Sequence, residues 1–297
     1  MGRGVKSMGS GSVARLLAVA SQKPTAGRAL ALFAPSHGRH EANRRINGAA
    51  ALLAAAALAD SGIEHYRGSF HNKAMYLPLG VSALTLYESL RDASSTGAGT
   101  RPGRDIVTAA ALATGLLGGL FHIYNVEKRP GGLSWLNLFY GAPLGAPLAL
   151  SLAGALRHMS GMSIGSVRRG RLLAALVSAG LLGTSAEAAL LHFRGAYQNP
   201  AMVLPVAVPP IAAAFLARAA IAPKPKHRIA RWTLGLAAAI GLVGSAFHAR
   251  GIGRNMGGWG NLSQNLLAGP PLPAPPSFTA LAGAGLAALG LIESRRS

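Results

Sequence analysis

Eight apolar stretches of about 16 to 21 residues, at roughly 46–63, 74–90, 105–123, 136–156, 172–191, 201–217, 232–247 and 276–292, alternate with short polar segments. At 1.5 Å of rise per residue, a helix of that length crosses a hydrocarbon layer about 30 Å thick. Hydrocarbon offers no partner to backbone N–H and C=O groups, so segments this long and continuously apolar must cross as helices. Half the residues are apolar and only 13% are charged, where a soluble domain carries about 25% charged. The pattern predicts an all-α integral membrane protein of eight transmembrane helices, paired as four helical hairpins. The 39 glycines and the low aromatic content, 6%, suit helices that approach closely in lipid. With no cysteine in the chain, disulfides, thiolate metal sites, iron–sulfur clusters and thiol catalysis are excluded.

A formal net charge of +20 would suit a nucleic-acid partner, but its distribution argues for topology instead. The N-terminal tail, the segments near 91–104, 157–171 and 218–231, and the C-terminal tail hold 22 of the 29 Lys and Arg residues, including Arg168, Arg169, Arg171, Lys224, Lys226 and Arg228. The four intervening segments hold the other seven. Alternation of this kind follows the positive-inside rule and places both termini in the cytoplasm, with no nucleic-acid role for the charge. High Ala, Gly, Arg and Pro usage fits a GC-rich bacterial genome, so the expected location is the bacterial inner membrane.

The chain also repeats itself. Residues 65–78, HYRGSFHNKAMYLP, recur as HFRGAYQNPAMVLP at 192–205, with eight of fourteen positions identical. His65 matches His192 at an offset of 127, and His122 matches His248 at an offset of 126. FHIYNVEKRPGG and NLFYGAPLGAP match FHARGIGRNMGG and NLLAGPPLPAP, with a two-residue insertion between the blocks. A period near 127 predicts two tandem four-helix repeats, 46–165 and 166–297, behind a basic cytoplasmic tail, 1–45, expected to be mobile. Four passes per unit is an even number, so the repeats are parallel and related by a pseudo-twofold axis along the membrane normal. Arg44 and Arg45 ahead of AALLAAAALAD resemble a twin-arginine leader, yet that apolar run aligns with the fifth stretch, which is mid-chain.

The chemistry-bearing residues fall at the outer ends of these helices. His65, His122, His192 and His248 close the first, third, fifth and seventh helices at one depth, where paired rings suit ligation of haem b or a transition metal. Arg67 and Arg194, ahead of Gly68 and Gly195, are placed to meet an anion such as a haem propionate. Asn72 and Asn199 read as helix caps, and Met75 and Met202 as weak candidates for a soft-metal site. Asp60 and Glu187 lie inside apolar helices, where an acid usually faces a protein interior or a water-filled cavity and marks a proton or ion site. Trp135 and Trp259 read as interfacial anchors, and the Pro-rich helix starts around Pro143, Pro147, Pro271, Pro273 and Pro275 as irregular.

Three functions are compatible with this set. One is a cofactor-holding electron-transfer subunit with paired histidines. The second is a proton-coupled or metal-ion permease using Asp60 and Glu187. The third is an assembly or accessory protein whose outer loops dock a membrane or periplasmic partner. No phosphate-binding glycine loop, HExxH helix or GxSxG elbow is present, which argues against an independent enzyme.

Overall fold

The computed structural model describes residues 39–95, 102–222 and 226–294, and among these it is all-helical with no strand. In chain order the helices are α1 (Arg39–Arg67), α2 (Leu77–Ser94), α3 (Pro102–Glu127), α4 (Trp135–Tyr140), α5 (Gly145–Gly161), α6 (Ser166–Arg194), α7 (Leu204–Ile221), α8 (Arg228–Arg254), α9 (Leu262–Ala268) and α10 (Pro276–Glu293). Short 3-10 turns precede α2, α7 and α9 at Lys73–Tyr76, Pro200–Val203 and Gly258–Asn261. Helix α1 begins at Arg39, within the 1–45 segment expected as a tail, and Arg45 is held inside it by Glu41, one helical turn away. Residues 1–38 of that segment lie outside the described residues.

Among the described residues six helices are long and apolar enough to cross a membrane: Arg39–Arg67, Gly103–Glu127, Ser166–Arg194, Pro200–Ile221, Arg228–Arg254 and Pro276–Glu293. The two other expected spans differ for local reasons. Helix α2 carries Glu88, Arg91 and Asp92 in its C-terminal half. The stretch expected at 136–156 is broken between Tyr140 and Gly145, so that α4 and α5 are separate helices and α5 is a short one of 17 residues. Pro143 at the break supplies a carbonyl rather than a helical N–H.

The packing sorts the helices into a centre and a periphery. Helix α10 packs on α1, α6 and α8, while α1 also packs on α2 and α5, and α6 on α7. The membrane-length window of α10 is 83% buried, whereas those of α3 and of the segment containing α7 are 22% buried. The outward faces of α3 and α8 present Leu116, Leu117, Leu120, Phe121, Leu242, Val243 and Phe247. Soluble monomers rarely expose apolar belts of this extent, and in a membrane protein lipid covers them.

Small residues set the close approaches. A Cβ on Gly115 would collide with Ser151 and with the Pro147 carbonyl, and a Cβ on Gly241 would collide with Thr279 and the Pro275 carbonyl. At the same two crossings the hydroxyls donate across the interface, Ser151 to Leu112 O at 3.0 Å and Thr279 to Ala238 O at 2.9 Å. Backbone contact of this kind replaces the hydrophobic drive that lipid removes.

Candidate functional site

The C-termini of α1, α3, α6 and α8 carry the four histidines, and each ring does the same local job. His65 Nδ1 meets Met75 O at 2.7 Å, His122 Nδ1 meets Pro143 O at 2.6 Å, and His192 and His248 meet Met202 O and Pro271 O, each at 2.8 Å. A carbonyl only accepts, so Nδ1 carries the proton and donates, which leaves Nε2 as the lone-pair nitrogen of the neutral ring. Each bond ties the end of one helix to the chain that leads into a later one, α2, α5, α7 or α10, and contributes about 1 kcal/mol. His65 also sets its edge against Phe70, and His192 against Tyr197, both at 6.2 Å between centroids.

His122 lies within charge range of His65, and His248 within charge range of His192. Among the described residues no group of three or more His, Asp or Glu is arranged to hold a metal ion. Met75 Cε and Met202 Cε lie 3.1 and 3.0 Å from where a Cβ on Gly68 and on Gly195 would sit. The two thioethers therefore fill the turn. This contact also explains the glycines: the left-handed positions of these turns are Ser69 and Phe70 (φ 56° and 45°) and Ala196 and Tyr197 (φ 54° and 46°), not Gly68 and Gly195. Asn72 Oδ1 and Asn199 Oδ1 accept from Ala74 N and Ala201 N, each at 2.9 Å, and cap the 3-10 turns as expected.

Arg67 and Arg194 have different partners. Arg67 pairs with Glu64 at 2.8 Å on an exposed face, and Arg194 stacks over the Tyr140 ring at 5.3 Å. Their shared position in the sequence hides different partners, because Glu64 has no acidic counterpart on α6, where Leu191 occupies the matching place.

Asp60 and Glu187 hold matching positions on α1 and α6. Both are half-buried, and the Asp60 carboxyl lies within electrostatic reach of Glu64 on its own helix and of Glu187 on α6. Glu187 accepts from Gly145 N at 3.1 Å and from Ala146 N, so it caps the first turn of α5 from a neighbouring helix. A Cβ on Gly145 would overlap the Glu187 carboxylate, so glycine is what permits this approach.

At the opposite end of the bundle lies a second polar constellation. The segments 91–104 and 157–171 are expected to lie between spans, with their charges as topology signals. Helices α2 and α3 take up half of the first, residues 91–94 and 102–104, and α5 and α6 most of the second, and Arg157 and Arg169 are 0% and 1% exposed. Arg157 donates to Thr108 Oγ1 at 3.3 Å and Ser89 Oγ at 3.1 Å and pairs with Asp92 at 3.4 Å. Arg104 bonds Asp92 Oδ2 at 3.1 Å, Ser160 Oγ at 2.8 Å and Arg157 O at 3.0 Å. Arg169 NH1 donates to Asn43 Oδ1 at 2.8 Å and Ser160 O at 3.3 Å. The signal for this set was available in the repeat itself, since the positions matching Ser89, Asp92, Thr108, Arg157 and Ser160 are Leu216, Ala219, Leu234, Gly285 and Ala288. Polar residues confined to one copy stand out once the copies are aligned.

Comparison with known protein families, with curated proteins and with solved structures finds no match to this chain.

Proposed function

We propose that the chain is an eight-pass membrane protein of two parallel four-helix units, α1–α5 and α6–α10, that handles a proton or small cation through Asp60 and Glu187. Support for the duplication is residue-level: Asn137 Nδ2 bonds Pro130 O and Gly132 O at 3.0 and 2.7 Å, and Asn265 Nδ2 bonds Met256 O and Gly258 O at 3.2 and 2.7 Å. The glycines of those turns share left-handed geometry, φ 90° and 56° at Gly131 and Gly132 and 80° and 53° at Gly257 and Gly258. The arginine-rich end is assigned to the cytoplasm of a bacterial inner membrane and the histidine end to the outside, in keeping with the alternation of charge.

The observation that carries the functional reading is the placement of two half-buried acids at matching positions of α1 and α6, with the Asp60 carboxyl in range of the Glu187 charge. Acidic charges inside an apolar bundle are costly unless a proton or cation neutralises them. In proteoliposomes with an imposed pH gradient and a lumenal pH dye, Asp60→Asn with Glu187→Gln is expected to reduce proton-coupled flux at least about tenfold. Flux equal to that of the unaltered protein would remove the proposal.

A second reading, haem b or a transition metal at the paired rings, is favoured by the free Nε2 atoms. A ligating histidine commonly donates its other ring N–H to a carbonyl, as all four do. The reading predicts a Soret band that shifts on reduction in the detergent-purified protein and is lost in His65→Ala with His122→Ala; a colourless, metal-free preparation would remove it.

A further inference from the structure

The arginine-rich end holds a cleft of about 170 Å³ whose lining includes Arg39, Asn43, Arg44, Arg104 and Arg169, with Asp92 the one carboxylate among the described lining residues. Four guanidinium groups thus face a single acid, and that acid is engaged by Arg104 and by Arg157. Arg39 and Arg44 each use a donor on a backbone carbonyl, Ile164 O and Ala93 O. The decisive residue is Arg169. It is 1% exposed, its NH1 is bonded, and its Nε and NH2 have no hydrogen-bond partner among the described residues. Leaving buried charged donors unmade is expensive, and a guanidinium edge with two free N–H groups matches two oxygens of a phosphate.

We propose that this cleft binds a phosphate-class oxyanion, held by the Nε and NH2 edge of Arg169 and neutralised by Arg39, Arg44 and Arg104. Its volume is below the roughly 300 Å³ at which sites for drug-sized ligands begin, so it takes one phosphate group rather than a nucleotide. The second half of the chain argues that the constellation behind the cleft is not needed for folding. There Gly285 stands between Leu216 and Leu234, where the first half sets Arg157 between Ser89 and Thr108. The same helix crossing is thus made with apolar residues. The cleft is at the opposite end from Asp60 and Glu187 and does not depend on the function proposed for them.

The same chemistry has two sources, a soluble phosphate and the headgroup of a phosphomonoester lipid, and two measurements on the full chain separate them. Thermal unfolding in detergent is followed with added inorganic phosphate, against chloride at matched ionic strength. The second measurement follows unfolding in nanodiscs of phosphatidylcholine with and without phosphatidic acid. Stabilisation by inorganic phosphate assigns the site to a soluble anion, and stabilisation by phosphatidic acid alone assigns it to a headgroup. In either case Arg169→Gln is expected to weaken the effect about tenfold or more, the loss that follows from removing one charge-assisted hydrogen bond. Should Arg169→Gln fail to fold, Arg39→Gln with Arg44→Gln, at exposed positions, is expected to weaken the response several-fold. No stabilisation by either probe, or an undiminished response in the variants, would overturn the proposal.

Discussion

Asp92→Ala is expected to destabilise the protein by about 3–5 kcal/mol, the usual effect of removing one partner from a buried ion pair. Asp92 lies 3.1 Å from Arg104 Nε and 3.4 Å from Arg157 NH2. Its loss removes the carboxylate that two guanidinium groups share, one of them 0% exposed. Adding Arg157→Met should recover at least half of the loss, because the double variant no longer buries that second guanidinium charge and approaches the apolar solution at Leu216, Leu234 and Gly285. Thermal unfolding in detergent, read by the monodisperse fraction remaining, measures both variants. A single variant that melts within about 1 kcal/mol of the parent would mean that Arg157 is compensated by something other than Asp92.

This pair also marks where the sequence was legible and where it was not. Helix positions could be read because apolar length is a one-dimensional property: the start of α10 at Pro276 falls on the first residue of the expected stretch, and α9 ends as the Pro-rich segment begins. Helices α2 and α5 run past the expected ends of their stretches, through Asp92 and Arg157, since a charge paired within the bundle is compatible with burial that composition cannot reveal. At the histidine end, spacing showed that His65 and His192 occupy matching positions but not what their rings touch. The partner is a backbone carbonyl ten residues on, and backbone atoms have no letter in a sequence. Arg67 and Arg194 show the converse: the letters match while their neighbours, Glu64 and Tyr140, do not.

Glu187 allows the structural and chemical roles of one carboxyl to be separated. Glu187→Leu is expected to cost about 1–3 kcal/mol, because Gly145 N and Ala146 N lose their acceptor at the first turn of α5, where the helix provides none. Glu187→Gln keeps an amide oxygen for the same two donors and forfeits only the charge at the helix N-terminus, typically 0.3–1 kcal/mol. The glutamine variant should therefore fold with near-parental melting and yet lose proton-coupled flux, whereas leucine lowers both. Gly145→Ala makes the complementary test, since the added methyl overlaps the carboxylate and must displace it while leaving its charge in place. Glutamine and leucine melting at the same reduced temperature would show that the negative charge itself holds α5 to α6, and Glu187 would then be a structural acid with Asp60 as its incidental neighbour.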